Sequence, residues 1–129
     1  MGKNQYFKKD TFYSRDDIFK ILGGSKQHYL PMRAGRVLYG AFRKDLNPDA
    51  PKIVLPGKGT IIDKSARLFA IQKEPIPVFI KDDINKWKYM GDFVVKKLLE
   101  DSKVIKEHAA NTKSKRTDIT MVLYLEEAK

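Results

Sequence analysis

The chain has no cysteine, so disulfide staples and thiolate metal sites are both excluded, and the composition suits a reducing, cytoplasmic setting. Histidine occurs only as His28 and His108, far apart in the sequence. No clustered His, Asp or Glu set offers zinc-ligand spacing, and neither HExxH nor GxSxG is present. Asp82 and Asp83 are adjacent carboxylates in turn-forming sequence and have no third ligand beside them, so they read as solvated side chains. Gly57-Lys58-Gly59-Thr60 matches a phosphate loop only superficially: the earlier glycine is missing and Gly59 separates the lysine from the threonine. These absences leave no catalytic residue, metal or cofactor to expect, and the sequence reads as a binding module. No apolar run is long enough to span a bilayer, and no basic amphipathic helix suits a membrane surface. The opening MGKNQYFKK lacks a signal-peptide core, and Tyr6 stands where myristoylation requires Ser or Thr.

Positive charge, by contrast, is plentiful. Lys and Arg total 26 against 16 acidic residues, a formal net charge of +10 over 129 residues. That excess attracts polyanions, of which nucleic acid is the commonest, but it does not dictate a fold. A hydrophobic content of 42% is sufficient for one packed core.

Local patterns predict the elements. Ser14-Arg15-Asp16-Asp17 has the form of a capping box, and Ile18, Phe19, Ile21 and Leu22 give a helical stripe ended by Gly23-Gly24. Residues 25–35 read as a polar, cationic loop of the kind that carries binding function. Strands are expected at 37–42, 52–55, 78–80, 87–98 and 118–125, with another starting at Ile61 and Ile62; residues 64–72 fit either a helix turn or a strand. Asp101 or Ser102 can cap a closing helix that runs to Ala110, followed by the basic turn KSKR at 113–116. The expected architecture is α+β: a mainly antiparallel sheet, curled or closed into a pseudo-barrel, with two or three short helices. Residues 14–129 would form the single domain, behind a partly ordered lead-in at 1–13.

The segment around Trp87, the only tryptophan, is the most distinctive. Tyr89 lies two residues on and therefore on the same face of a strand, Lys86 and Lys88 lie on the other, and Gly91 marks a bulge or close approach. The cations fall in three groups: Lys26, Arg33, Arg36, Arg43 and Lys44; Lys81, Lys86 and Lys88; and Lys113, Lys115 and Arg116. Interleaved with Tyr29, Tyr39, Trp87 and Tyr89, they fit phosphate contacts around a base-sized aromatic pocket. Each group taken alone also fits a solvated face, and Trp87 and Tyr89 fit ordinary strand packing equally well. Arg33, Arg36 and Arg43 carry more weight than the lysines, because a guanidinium binds phosphate bidentately. His28 is the better functional histidine, and His108 reads as structural. Asn47, Gln72 and Asp92 are candidate readers of a base edge, or stabilisers of turns and strand ends.

GGSKQ at 23–27, LNPDAP at 46–51, QKEPIPVFIK at 72–81, WKYMGDF at 87–93 and TDITMVLYLEE at 117–127 together resemble the SRA-like, PUA-superfamily reader domains attached to HNH-type and other modification-dependent restriction endonucleases. The resemblance covers about residues 14–127 and includes no nuclease domain. It implies a domain that binds double-stranded DNA carrying a modified base, flips that base into an aromatic pocket, and serves a fused or associated nuclease in restriction or phage defence. Trp87 and Tyr89 would form the pocket wall. Ser25, Lys26, Gln27 and His28, with the YLPMRAGR loop, would meet the DNA backbone, with Lys81, Lys88, Lys115 and Arg116 as further backbone contacts. The alternatives are an RNA-binding PUA-like domain and a basic protein–protein interaction module.

Overall fold

In the computed structural model, which describes residues 6–112 and 115–128, Ser14 caps the first helix as its sequence dictates. Its hydroxyl accepts from the Asp17 N–H, and the Asp17 carboxylate accepts from the Ser14 N–H, both at 3.0 Å. This capping box starts α1 (Arg15–Leu22), and Gly23 at φ 78° ends it. Phe7 and the segment Phe12–Tyr13 (β1) precede it. The described part of the lead-in, residues 6–13, packs on the sheet: Phe7 is buried, the Asp10 N–H donates to the Tyr89 carbonyl, and the Tyr89 N–H donates to the Thr11 carbonyl. The sequence shows no period there because that segment is held by aromatic rings and by a strand edge far along the chain.

After α1 come a hairpin of β2 (Met32–Arg33) and β3 (Arg36–Val37), then β4 (Gly40–Arg43) and β5 (Ile53–Val54). The stretch expected to open a strand at Ile61 is instead helical, α2 (Thr60–Ile71). Ser65, Ala66 and Phe69 are its buried residues, a three-to-four spacing that outweighs the β preference of two isoleucines. Next come β6 (Ile76–Asp83), the long β7 (Lys86–Leu99), α3 (Ser102–Ala110) and β8 (Val122–Glu127). Asp101 caps α3 by accepting from the Lys103 N–H. β8 begins four residues later than its alternation suggests, because Thr120 instead donates its N–H to the Pro56 carbonyl.

The main sheet runs β4-β6-β7-β8-β5, with β1 added alongside β7. Its pairings are antiparallel except β4 with β6, which are parallel. The class is thus α+β with three helices and a mixed sheet that does not close into a barrel.

Two cores lie on opposite faces of this sheet. On one, Phe42, Val78, Ile80, Phe93 and Leu123 pack with Ala66 and Phe69 of α2. On the other, Ala41, Phe79, Trp87 and Tyr89 pack with Ile18 of α1 and with Phe7. β7 serves both because of a β-bulge: Val78 pairs with Gly91 but Phe79 pairs with Tyr89, leaving Met90 as the extra residue. Gly91 sits at φ 115°, and a side chain there would meet the Glu127 carboxylate. A third cluster seats α3: Val104, Ile105 and Ala109 against Leu55, Ile119 and Val122.

Phe79 is fully buried and sits 4.9 Å from the Phe7 ring, 5.5 Å from Tyr89 and 5.9 Å from Tyr39. Phe79→Ala is therefore expected to cost about 3–5 kcal/mol of unfolding free energy, read from urea denaturation; a loss below about 1 kcal/mol would contradict this centre for the second core.

Candidate functional site

Arg15 is the first residue of α1 and shares its inward stripe with Ile18 and Leu22. Its guanidinium carbon lies 5.4 Å from the centre of the Tyr39 ring and 5.2 Å from that of Trp87. Its Nη2 donates to the Ser25 carbonyl at 3.1 Å, the His28 carbonyl at 2.9 Å and the Tyr39 hydroxyl at 3.0 Å. The Tyr39 hydroxyl in turn donates to the Ser25 carbonyl. Within the loop, the Ser25 hydroxyl accepts from the N–H groups of Gln27 and His28. One arginine thus fixes the 25–28 loop against the sheet.

That loop forms one wall of a cleft of about 650 Å³. The cleft runs along the β4 edge, since Phe42 lines it from one sheet face and Ala41 and Arg43 from the other. Lys26, Arg43, Lys81 and Arg15 give it a cationic side, with His28 and Trp87 among them. Phe42, Leu46, Leu55, Pro56, Ile61 and Ile62 give it an apolar side. Arg116 and Asp118 close the end near β5. Members of all three cationic groups, separated in sequence, meet here.

The cations differ in freedom. Lys26 pairs with Asp16 at 2.9 Å and Arg43 with Asp45 at 2.6 Å, both through side chains about half exposed. Hydrogen bonding to these partners holds the Asp16 and Asp45 carboxyls below the usual range. Such surface pairs are worth at most about 1 kcal/mol and exchange readily for a ligand. Lys81 has no carboxylate partner among the described residues and lies 5.8 Å from the centre of the Trp87 ring. Arg116 is committed: its side chain is 8% exposed, grips Asp118, and donates to the Leu46 and Leu55 carbonyls.

Tyr29 lines the cleft, but its hydroxyl donates to the Ile62 carbonyl, and burial pushes its ionisation up out of the accessible range. Asn47 also lines it and is consumed structurally: its Nδ2 donates to the Arg43 carbonyl and its Oδ1 accepts from the Leu55 N–H at 2.7 Å.

Several expected site residues lie elsewhere. Tyr89 does share the Trp87 face, but it is packed among Phe7 and Phe79, and its hydroxyl donates to Asp92 at 2.6 Å. Both are thereby removed from the cleft. Burial, with Asp92 adding, pushes the Tyr89 hydroxyl up. Tyr39 is wholly buried beneath Arg15. Gln72 clamps β3, donating to the Val37 carbonyl and accepting from its N–H. Arg33 packs over Gly23, Arg36 pairs with Glu74 at 3.4 Å, and Lys88 lies over the Phe12 ring. Lys115 is exposed outside the cleft lining, and Lys113 lies outside the described residues. His108 meets the Tyr124 hydroxyl at 3.1 Å, away from the cleft.

Sequence reasoning missed Arg15, Asp118 and the first turns of α2. Arg15 did carry a signal, an arginine in register with the apolar stripe of its helix. No group of three or more His, Cys, Asp or Glu side chains that could hold a metal occurs among the described residues, and no helix among them is long and apolar enough to cross a membrane.

The cleft residues span Arg15 to Asp118. A family model described as a domain of unknown function, DUF6697, matches residues 12–122. The chain belongs to the DUF6697 family. The whole cleft therefore lies inside the DUF6697 domain. No curated protein and no solved structure matches the chain.

Asn47 ties the end of β4 to β5 across the mouth of the DUF6697 cleft, so Asn47→Ala leaves the Leu55 N–H buried without an acceptor. The expected cost is about 1–3 kcal/mol, measured by denaturant titration; a neutral substitution would leave Asn47 free to face a ligand. Asp118 is held below the usual carboxylate range, first by its hydrogen bond to Arg116. Its contribution to stability is complete above the unfolded value of about 3.9 and is lost as pH falls through the lower folded value. Asp118→Asn should therefore flatten the acid limb of a stability–pH profile below about pH 4. The change should stay under about 1 kcal/mol because the carboxylate is half exposed.

Proposed function

We propose that this DUF6697 domain is a nucleic-acid-binding module that accepts one unstacked, modified base of double-stranded DNA in the β4-edge cleft, acting as the specificity domain of a restriction or defence system. The observation that carries the reading is the convergence of cations from three separate stretches of sequence on a cleft of about 650 Å³ that also contains the only tryptophan. A cleft of that size admits a nucleotide. Its apolar side suits the faces of a base and its cationic side suits phosphate. Extruding a base costs a few kcal/mol, which stacking and phosphate contacts offset. The preference for a modified base, and a PUA-like arrangement of the fold, rest on the motif resemblance; the base-sized site rests on the geometry. Tyr89, Gln72 and Asp92 have no part in this site, and Trp87, Phe42 and Tyr29 are the aromatic residues that line it.

The test is fluorescence anisotropy at two salt concentrations on matched duplexes carrying cytosine, 5-methylcytosine, 5-hydroxymethylcytosine or N6-methyladenine, with an RNA duplex of the same sequence alongside. One modified DNA duplex is expected to bind tightest and to keep its advantage at the higher salt. Lys81→Gln should weaken all duplexes alike and lower the salt slope by about one. Equal, salt-sensitive binding to every duplex would reduce the cleft to a basic surface, and tighter binding to RNA would overturn the DNA reading.

A further inference from the structure

Arg15 has a property that holding the 25–28 loop does not explain. Of the six arginines in the chain, Arg36, Arg43, Arg67 and Arg116 each pair with a carboxylate, and Arg33 is exposed to water. Arg15 is half-buried in the cleft wall and has no carboxylate within ion-pair distance among the described residues. Its three hydrogen bonds all use Nη2 and go to neutral oxygens. Its Nε–H is buried and has no acceptor among the described residues. Lys81, the other cation over the Trp87 ring, also has no ion-paired carboxylate among them. Two positive charges thus converge on one indole, neither in an ion pair with a described residue. A half-buried cation without a counter-ion is partly desolvated, and an arriving anion would offset that cost.

We propose that Arg15 and Lys81 form an oxyanion site inside the cleft, and that its occupant is the phosphate of the bound nucleotide. This rests on the nucleotide reading above and sharpens it. The phosphate is gripped within the cleft beside Trp87, while the base lies against Phe42, Leu55 and Ile62. The guanidinium suits this task because its planar donors match phosphate oxygens and its charge is permanent. The two aromatic faces keep it desolvated, which strengthens its attraction for an anion.

Two reporters stand in the site. Trp87 is the sole tryptophan, so intrinsic fluorescence reads the cleft alone, and the Arg15 Nε–H is visible in nitrogen–proton correlation spectra. Wild-type protein would be titrated with a nucleoside 5′-monophosphate, the matching nucleoside, orthophosphate and acetate. The nucleotide is expected to shift both Trp87 emission and the Arg15 Nε–H resonance, and the nucleoside to bind at least about ten-fold more weakly, as loss of a charge-assisted contact requires. Arg15→Lys and Arg15→Gln should each weaken the nucleotide by about ten- to a hundred-fold, with thermal melting run alongside to check folding. The wild-type spectra do not depend on either variant. A nucleoside that binds as well as its nucleotide, or an Nε–H resonance that stays still at saturation, overturns the site. Acetate acting as strongly as phosphate overturns the phosphate assignment. Duplex binding is measured on the same samples: duplex bound with Arg15 unmoved sinks this site alone, whereas nucleotide moving Arg15 with no duplex bound sinks the nucleic-acid module and leaves the site standing.

Discussion

The arrangement depends on one stacked cation. Arg15 lies over both the Tyr39 and Trp87 rings while Nη2 bonds two loop carbonyls and a phenol. Four parts of the chain meet there: the start of α1, the 25–28 loop, the segment between β3 and β4, and the first half of β7. Each is aimed by something local. The capping box fixes the first turn of α1 and so the direction of Arg15. The Ser25 hydroxyl folds the loop so that its carbonyls turn inward. A cation–π contact of this kind is worth about 0.5–2 kcal/mol, modest by itself. Its importance is geometric, since the cleft wall exists only while the loop is held.

The β-bulge at Met90 supplies the other half of the arrangement. Without it β7 would keep Trp87, Tyr89 and Phe93 on one face by simple alternation. With it, Trp87 and Tyr89 join the α1 side while Phe93 joins the α2 side. Trp87 then stands beside Lys81 at the cleft, and Tyr89, only two residues away, is committed to Phe79 and Asp92. At 14 residues β7 pairs with β6, β8 and β1, so the strand that organises the sheet also carries Trp87 to the cleft.

Much of the fold was legible in the sequence because local chemistry and tertiary demand agree there. Ser14 and Asp17, Gly23 and Asp101 all act as their types predict, and the turn expected from Asp82 to Asn85 shortens to Ile84 and Asn85 because β6 runs on through Asp83. Where the two diverge, the reading failed. Ile61 and Ile62 favour a strand locally, but Ala66 and Phe69 bury a helical face against the sheet. Phe7 has no periodic neighbours, and two of its ring partners, Phe79 and Tyr89, are more than seventy residues away. Which candidate residues share one cleft was only partly legible. Trp87, Lys81, Arg43, Lys26 and His28 do converge. Gln72, Asp92 and Asn47 were candidate readers because they are polar, yet each is engaged in hydrogen bonds inside the fold, which no linear pattern reveals.

Net charge alone does not choose among partners, because an acidic protein surface would also be drawn to a chain of +10. Concavity and the distribution of satisfied charge are what support the proposed nucleotide over an acidic protein surface. The pairs Lys26–Asp16 and Arg43–Asp45 sit at half-exposed positions where partners exchange at little cost. The unbalanced charges, Arg15 and Lys81, sit inward against an indole. An acidic protein surface would meet the outer pairs and leave the inner charges unmatched. A ligand anionic at one end and flat and apolar at the other would meet both the inner charges and the wall of Phe42, Leu55 and Ile62. A nucleotide lifted out of its stack has that form, which is why the proposed reading places one there.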